Sequence, residues 1–153
     1  MNRTLRCFSL FLLTTWVLLS CDAPVPPRIL IFSKTSPYGY RHQSIEAGKK
    51  ALVDLCYQNG IVADTTEDSR LFTDKNLKRY AAVVFLSTNG EVLGPDEEVA
   101  FERYIQAGGG FAGIHASSAT EYTWKWFGGL VGAYFKDHPA IQECSVQVER
   151  CDD

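Results

Sequence analysis

From Arg28 onward the chain alternates short unbroken apolar runs with segments whose apolar positions recur every three or four residues. Arg28-Ile29-Leu30-Ile31-Phe32-Ser33 suits a strand covered on both faces. The spacing then predicts a helix from about Ser44 to Asn59. Ser44 caps it, Ile45, Leu52, Leu55 and Cys56 form its apolar stripe, and Gly60 closes it in a left-handed turn. Ile61 to Thr65 reads as a second strand, and Thr73 caps a short helical turn running to Tyr80. Ala81 to Leu86 is the third and most buried strand. Pro95 suits the first turn of a helix reaching about Ala107, where Asp96, Glu97 and Glu98 complement its positive end and Phe101, Tyr104 and Ile105 face inward. Gly108-Gly109-Gly110 ends that helix and opens the strand Phe111 to Ile114, and a last alternating strand is expected at Cys144 to Val148.

Strand, helix and strand in repetition mean an α/β fold with a parallel sheet and crossover helices on both faces. Such sheets bind ligands beyond the carboxyl ends of their strands. The functional face is therefore expected on Ser33 to Gln43, the loop after Thr65, Ser87 to Leu93, and His115 to Thr123.

The pattern before Arg28 differs. Arg3 and Arg6 precede the apolar run Cys7 to Leu19, too short to span a bilayer, and Leu18-Leu19-Ser20-Cys21 resembles a bacterial lipobox. The reading divides the chain into a signal peptide with lipobox cysteine at 1–21, a proline-rich tether at 22–27 and a domain at 28–153. Cys21 would be lipidated, anchoring the protein to a membrane on the extracytoplasmic face of the cell envelope. Cleavage to a soluble periplasmic form, or an uncleaved anchor, are the alternatives. With Cys7 in the leader and Cys21 lipidated, Cys56, Cys144 and Cys151 remain, an odd set for which no essential disulfide is expected. A net charge of −3 offers no basic surface and makes nucleic acid an unlikely partner.

The order of certain residues carries a resemblance. Phe32-Ser33-Lys34-Thr35, Gly39-Tyr40-Arg41-His42, Phe72-Thr73, Val84-Phe85-Leu86, Gly108-Gly109-Gly110-Phe111, Gly113-Ile114-His115-Ala116, Glu121-Tyr122, Trp124, Trp126, Gly132-Ala133-Tyr134-Phe135 and His138-Pro139 resemble the trehalose-utilisation (ThuA-like) family across Arg28 to Val148. That family is similar in fold to class I glutamine amidotransferases, which implies a flavodoxin-like sheet, here incomplete at its C-terminus. Amidotransferase-like domains carry a nucleophilic cysteine after this strand; Gly113-Ile114-His115-Ala116-Ser117 has histidine instead. No thiolate means no glutamyl thioester, and glutaminase activity is not expected.

The resemblance implies catabolism of trehalose, another disaccharide or a keto-sugar, with His115 and His42 as catalytic acid/base residues. Neutral imidazole, favoured at a helix N-terminus, accepts a proton, donates one to a developing oxyanion or binds a metal. Tyr40, Arg41, Thr88, Ser117, Glu121, Tyr122, Trp124 and His138 are the substrate-binding candidates, flat rings and hydrogen-bonding groups suiting a sugar. Trp124 and Trp126 pack helix against sheet in the alternative reading. No cofactor is expected; a zinc ion on the three histidines is conceivable without any ligand-spacing signature. Ala119 stands where the family commonly has an aspartate, removing an acid or histidine orienter. A non-catalytic glycan-binding lipoprotein is the competing reading.

Cys21→Ala is expected to leave the protein unprocessed or absent from the membrane fraction. Metabolic fatty-acid labelling equal to that of the parent would exclude lipidation at this residue.

Overall fold

The structure, a computed structural model, describes residues 25–140 and 142–148, so the leader, Cys21 and the first half of the tether lie outside the described residues. Four parallel strands, β1 (Arg28–Phe32), β2 (Val62–Thr66), β3 (Ala82–Leu86) and β4 (Gly110–Ile114), form one sheet in the order β2-β1-β3-β4. Leu30 of β1 stands in register with Asp64 of β2 on one side and Val83 of β3 on the other. The α/β class and the flavodoxin-like order match the expectation from the apolar runs.

Alternation along β1 and β3 divides the core. Ile31, Val84 and Leu86 point to the face covered by α1 (Ile45–Gln58), where Leu52 and Val53 pack on them. Leu30, Phe32, Val83 and Phe85 point to the opposite face, covered by α2 (Asp74–Leu77), α3 (Pro95–Gln106) and α4 (Lys125–Val131). Phe85 is the centre of that face. Its ring lies 5.2 to 5.9 Å from those of Phe32, Phe72, Phe101, Phe111 and Phe127, in edge-on, tilted and stacked arrangements.

Local signals set the helix ends. Thr73 Oγ1 accepts from Asn76 N at 3.2 Å, and Glu97 reaches back to accept from Gly94 N ahead of Pro95. Ser44 makes no side-chain cap, and Leu55 is 55% exposed, because it lies about 100° around the helix from Cys56, which is buried. The expected strand at Cys144 to Val148 is absent among the described residues; the segment has no regular structure there, and Val146 is 86% exposed. Among the described residues no helix is long and apolar enough to cross a membrane.

Phe85→Ala should lower the free energy of urea unfolding by about 3–5 kcal/mol, the cost of a cavity ringed by five aromatic side chains. A loss below about 1 kcal/mol would show that the neighbouring rings collapse into the space.

Candidate functional site

Between β1 and β3 the sheet reverses its direction of growth. The chain leaves β1 toward α1 on one face and leaves β3 toward α3 on the other, so their following loops diverge and a crevice opens at the carboxyl edge. The ladder persists into those loops as single bridges, Thr35 with Asn89 and Gly90 with Thr120. Asn89 O accepts from Ser36 N at 2.9 Å, and Asn89 Oδ1 accepts from Tyr40 N at 3.0 Å. Gly39 permits this approach, since a Cβ there would lie 2.7 Å from Asn89 O. Asn89 thus places the residues leading into α1.

A cavity of about 560 Å³ occupies the crevice, its lining including Tyr40, His42, Asn89, His115, Phe135 and His138. The His42 and His115 rings meet edge-on with centroids 4.4 Å apart, and Tyr40 stands edge-on to His42 at 4.8 Å. Burial, and then the nearby charge of His115, hold the His42 pKa below the ordinary 6.5, so this imidazole is neutral at neutral pH. It can therefore accept a proton. A cavity of similar size at the opposite end, lined by Tyr80, Arg103 and Tyr104, contains no histidine.

His115 follows β4 at φ 59°, a left-handed conformation that side chains with a Cβ adopt at a cost. The chain then makes a 3-10 turn, His115–Ala119, in place of the expected helix, so no long helix dipole points at the imidazole. Ser87 at φ 49° and Glu121 at φ 54° share the strained conformation, and all three lie in segments following β3 or β4 at the carboxyl edge.

Of the residues singled out in the sequence, the structure brings Tyr40, His42, His115 and His138 to the cavity. The others lie elsewhere. Arg41 makes a two-pronged ion pair with Glu67 at 2.9 Å and reaches Glu46 at 3.1 Å, tying the loop before α1 to the end of β2. Thr88 is fully buried, its hydroxyl 2.8 Å from that of Thr120. Ser117 faces a groove along β4 lined by Phe111 and Leu130. Trp124 stacks on Trp126 at 4.9 Å and joins the Phe85 cluster. Tyr122 donates to Phe135 O at 2.7 Å, supporting the cavity wall from behind. In the sequence Asn89 reads only as part of the Ser87–Gly90 loop that would stabilise negative charge, and Phe135 is not singled out as a site residue. Their signals were slight, a position beside Thr88 for one and three residues' distance from His138 for the other. Among the described residues no three histidine, cysteine or carboxylate side chains converge to hold a metal.

Glu121 is fully buried and is not among the residues that line the cavity. Its Oε1 accepts from Val92 N and Leu93 N, each at 2.8 Å, while Oε2 has no partner. Burial pushes this carboxyl up to about 7, the two backbone N–H groups oppose the shift, and the neighbouring Glu91 adds to it. The folded value lies above the ordinary 4.5, so the folded state binds this proton more tightly than the unfolded chain. The resulting stability is complete below pH 4.5 and is lost as pH rises through about 7. Unfolding free energies should accordingly fall by on the order of 1–3 kcal/mol across that interval, and Glu121→Gln should flatten the decline. An equally steep decline in the variant would assign it to other groups.

The ThuA family profile, described as trehalose utilisation, matches residues 28–153. A search of the curated proteins finds no match. Among solved structures, a ThuA-like protein from Bacteroides uniformis ATCC 8492 is similar with a TM-score of 0.56 and 26% sequence identity. The similarity covers 74% of this chain and 47% of that one, so the chain spans about half the length of this relative. With the family profile matching residues 28–153, the chain belongs to the ThuA, trehalose-utilisation, family.

Proposed function

We propose that the cavity binds a sugar derived from a disaccharide, as glycoside or as oxidised keto derivative, and that His42 and His115 perform acid/base chemistry on it. The observation that carries this reading is the edge-on contact of the two imidazoles, 4.4 Å between centroids, at the crevice where parallel sheets bind ligands. Two imidazoles so close disfavour double protonation. A neutral His42 accepts a proton from a hydroxyl or from a carbon beside a carbonyl while His115 donates one to a developing oxyanion, or the roles reverse. Asn89, fixed on the opposing loop, adds hydrogen-bonding groups suited to hydroxyls. Histidine at the turn after β4, where amidotransferase-like domains have cysteine, leaves no thiolate for glutamine hydrolysis.

The family's description as trehalose utilisation supports a sugar of disaccharide origin. The lipobox at Leu18 to Cys21 supports an envelope protein tethered to the outer face of a membrane by lipid, meeting its sugar outside the cytoplasm. A second reading, glycan binding without turnover, is favoured by the exposed aromatic rings at the cavity, Tyr40 at 65% and Phe135 at 41%.

A panel of glycosides and 3-keto-glycosides decides between them. Turnover should fall by about 10²–10⁴-fold in His115→Ala and in His42→Ala. The double variant should be no worse than the poorer single one, because the two act as a unit. Saturable binding without product would establish the second reading, and unimpaired turnover in His115→Ala would remove that histidine from the chemistry.

A further inference from the structure

We infer that Glu121 is a positioning residue for the His42–His115 site, acting through the main chain of residues 88–93; the inference rests on the reading of that cavity as the functional site. Glu121 does not line the cavity. It holds the loop after β3 onto the loop after β4 by consecutive pairings: Oε1 with Val92 N and Leu93 N, Glu121 N with Gly90 O at 3.2 Å, and Gly90 N with Ala119 O at 2.9 Å. The hydroxyl pair of Thr88 and Thr120 adds a fixed point on the other side of Asn89. Asn89 is consequently clamped at both neighbours, and it is Asn89 that receives Ser36 N and Tyr40 N. The path from carboxylate to imidazole is short: Glu121, the segment 90–93, Asn89, Tyr40, and the His42 ring that Tyr40 abuts.

A merely structural residue would be an odd choice of chemistry for this clamp. The carboxyl is fully buried, leaves Oε2 unpaired beside Glu91, which is itself engaged by Thr123 N and Thr123 Oγ1, and sits on a left-handed backbone. Each of these features costs stability. What the arrangement gains is a double acceptor for two consecutive buried N–H groups, those of Val92 and Leu93, on the loop that carries Asn89. Without it those donors are left unsatisfied, and residues 90–93 must shift to reach water. Asn89 and the Tyr40 wall shift with them.

The test reads His42 directly, by NMR titration of its ring in the full chain without any sugar, so it can fail or succeed independently of the proposed acid/base chemistry. In the parent the His42 midpoint lies below 6.5, held there first by burial and then by His115. Glu121→Ala should raise it toward the ordinary 6.5 as the wall opens and burial is relieved, while Glu121→Gln, which still accepts both N–H groups, should keep it low. Asn89→Ala leaves the carboxylate in place, cuts the link to Tyr40 at a partly exposed position, and should raise the midpoint in the same way. That variant decides the matter where Glu121→Ala does not fold. A folded Glu121→Ala, or an Asn89→Ala, whose His42 titrates as in the parent would overturn the inference. Loss of stability alone, with the His42 midpoint unchanged, is the signature of a structural role.

Discussion

Adjacent parallel strands share one hydrogen-bonded ladder, but the chain segments that follow them need not leave in the same direction. In this domain β1 hands the chain to α1 on one face of the sheet while β3 hands it to α3 on the other. The divergence is forced by the order β2-β1-β3-β4 together with right-handed crossovers, since growth in opposite directions from the central pair requires helices on opposite faces. The crevice is the space left by that divergence. Its two walls, the Ser36–His42 loop and the segments from Ser87 and His115, come from distant parts of the chain and meet only because β1, β3 and β4 pair in register.

The aromatic cluster below and the polar loops above perform different tasks. Phe85, Phe101 and Phe127 fill the space between sheet and helices and give the strand ends a rigid base. Above them the chain abandons easy conformations. Ser87, His115 and Glu121 all take left-handed backbone angles, and buried hydroxyl and carboxyl groups replace apolar contacts. Strain of this kind persists only where surrounding structure over-determines it. Here the parallel bridges, the Asn89 contacts and the Glu121 acceptor supply that support.

Much of this fold was legible in the chain because its strands are unbroken apolar runs and its helix starts carry chemical markers. β1 and β3 could hardly be read as anything but doubly covered strands, and Pro95 with three acids behind it marks a helix start. Side-chain direction outside regular elements was not legible. Nothing in Gly-Tyr-Arg-His reveals that Arg41 turns toward Glu67 while its neighbours face the cavity, since that depends on a carboxylate from another strand end. Trp124 likewise has a ring suited to a sugar, and the helix after it directs that ring into the core. The alternation at Cys144 to Val148 shows the converse failure, a strand-like pattern without a partner. His42, His115 and His138 were visible as chemistry, whereas their common cavity was a property of the sheet order.

Among the described residues β4 is paired on one side only, by β3, and its Ala112 and Gly113 are exposed. Edge strands open at lower free energy than strands paired on both sides, often without unfolding the rest of the domain. Opening of this strand would carry His115 away from His42 while the β1–β3 pair and most of the Phe85 cluster remained in place. The contact of the two imidazoles is therefore sensitive to local opening of this strand as well as to melting of the whole fold, and amide exchange along residues 110–114 would measure how often the two rings part.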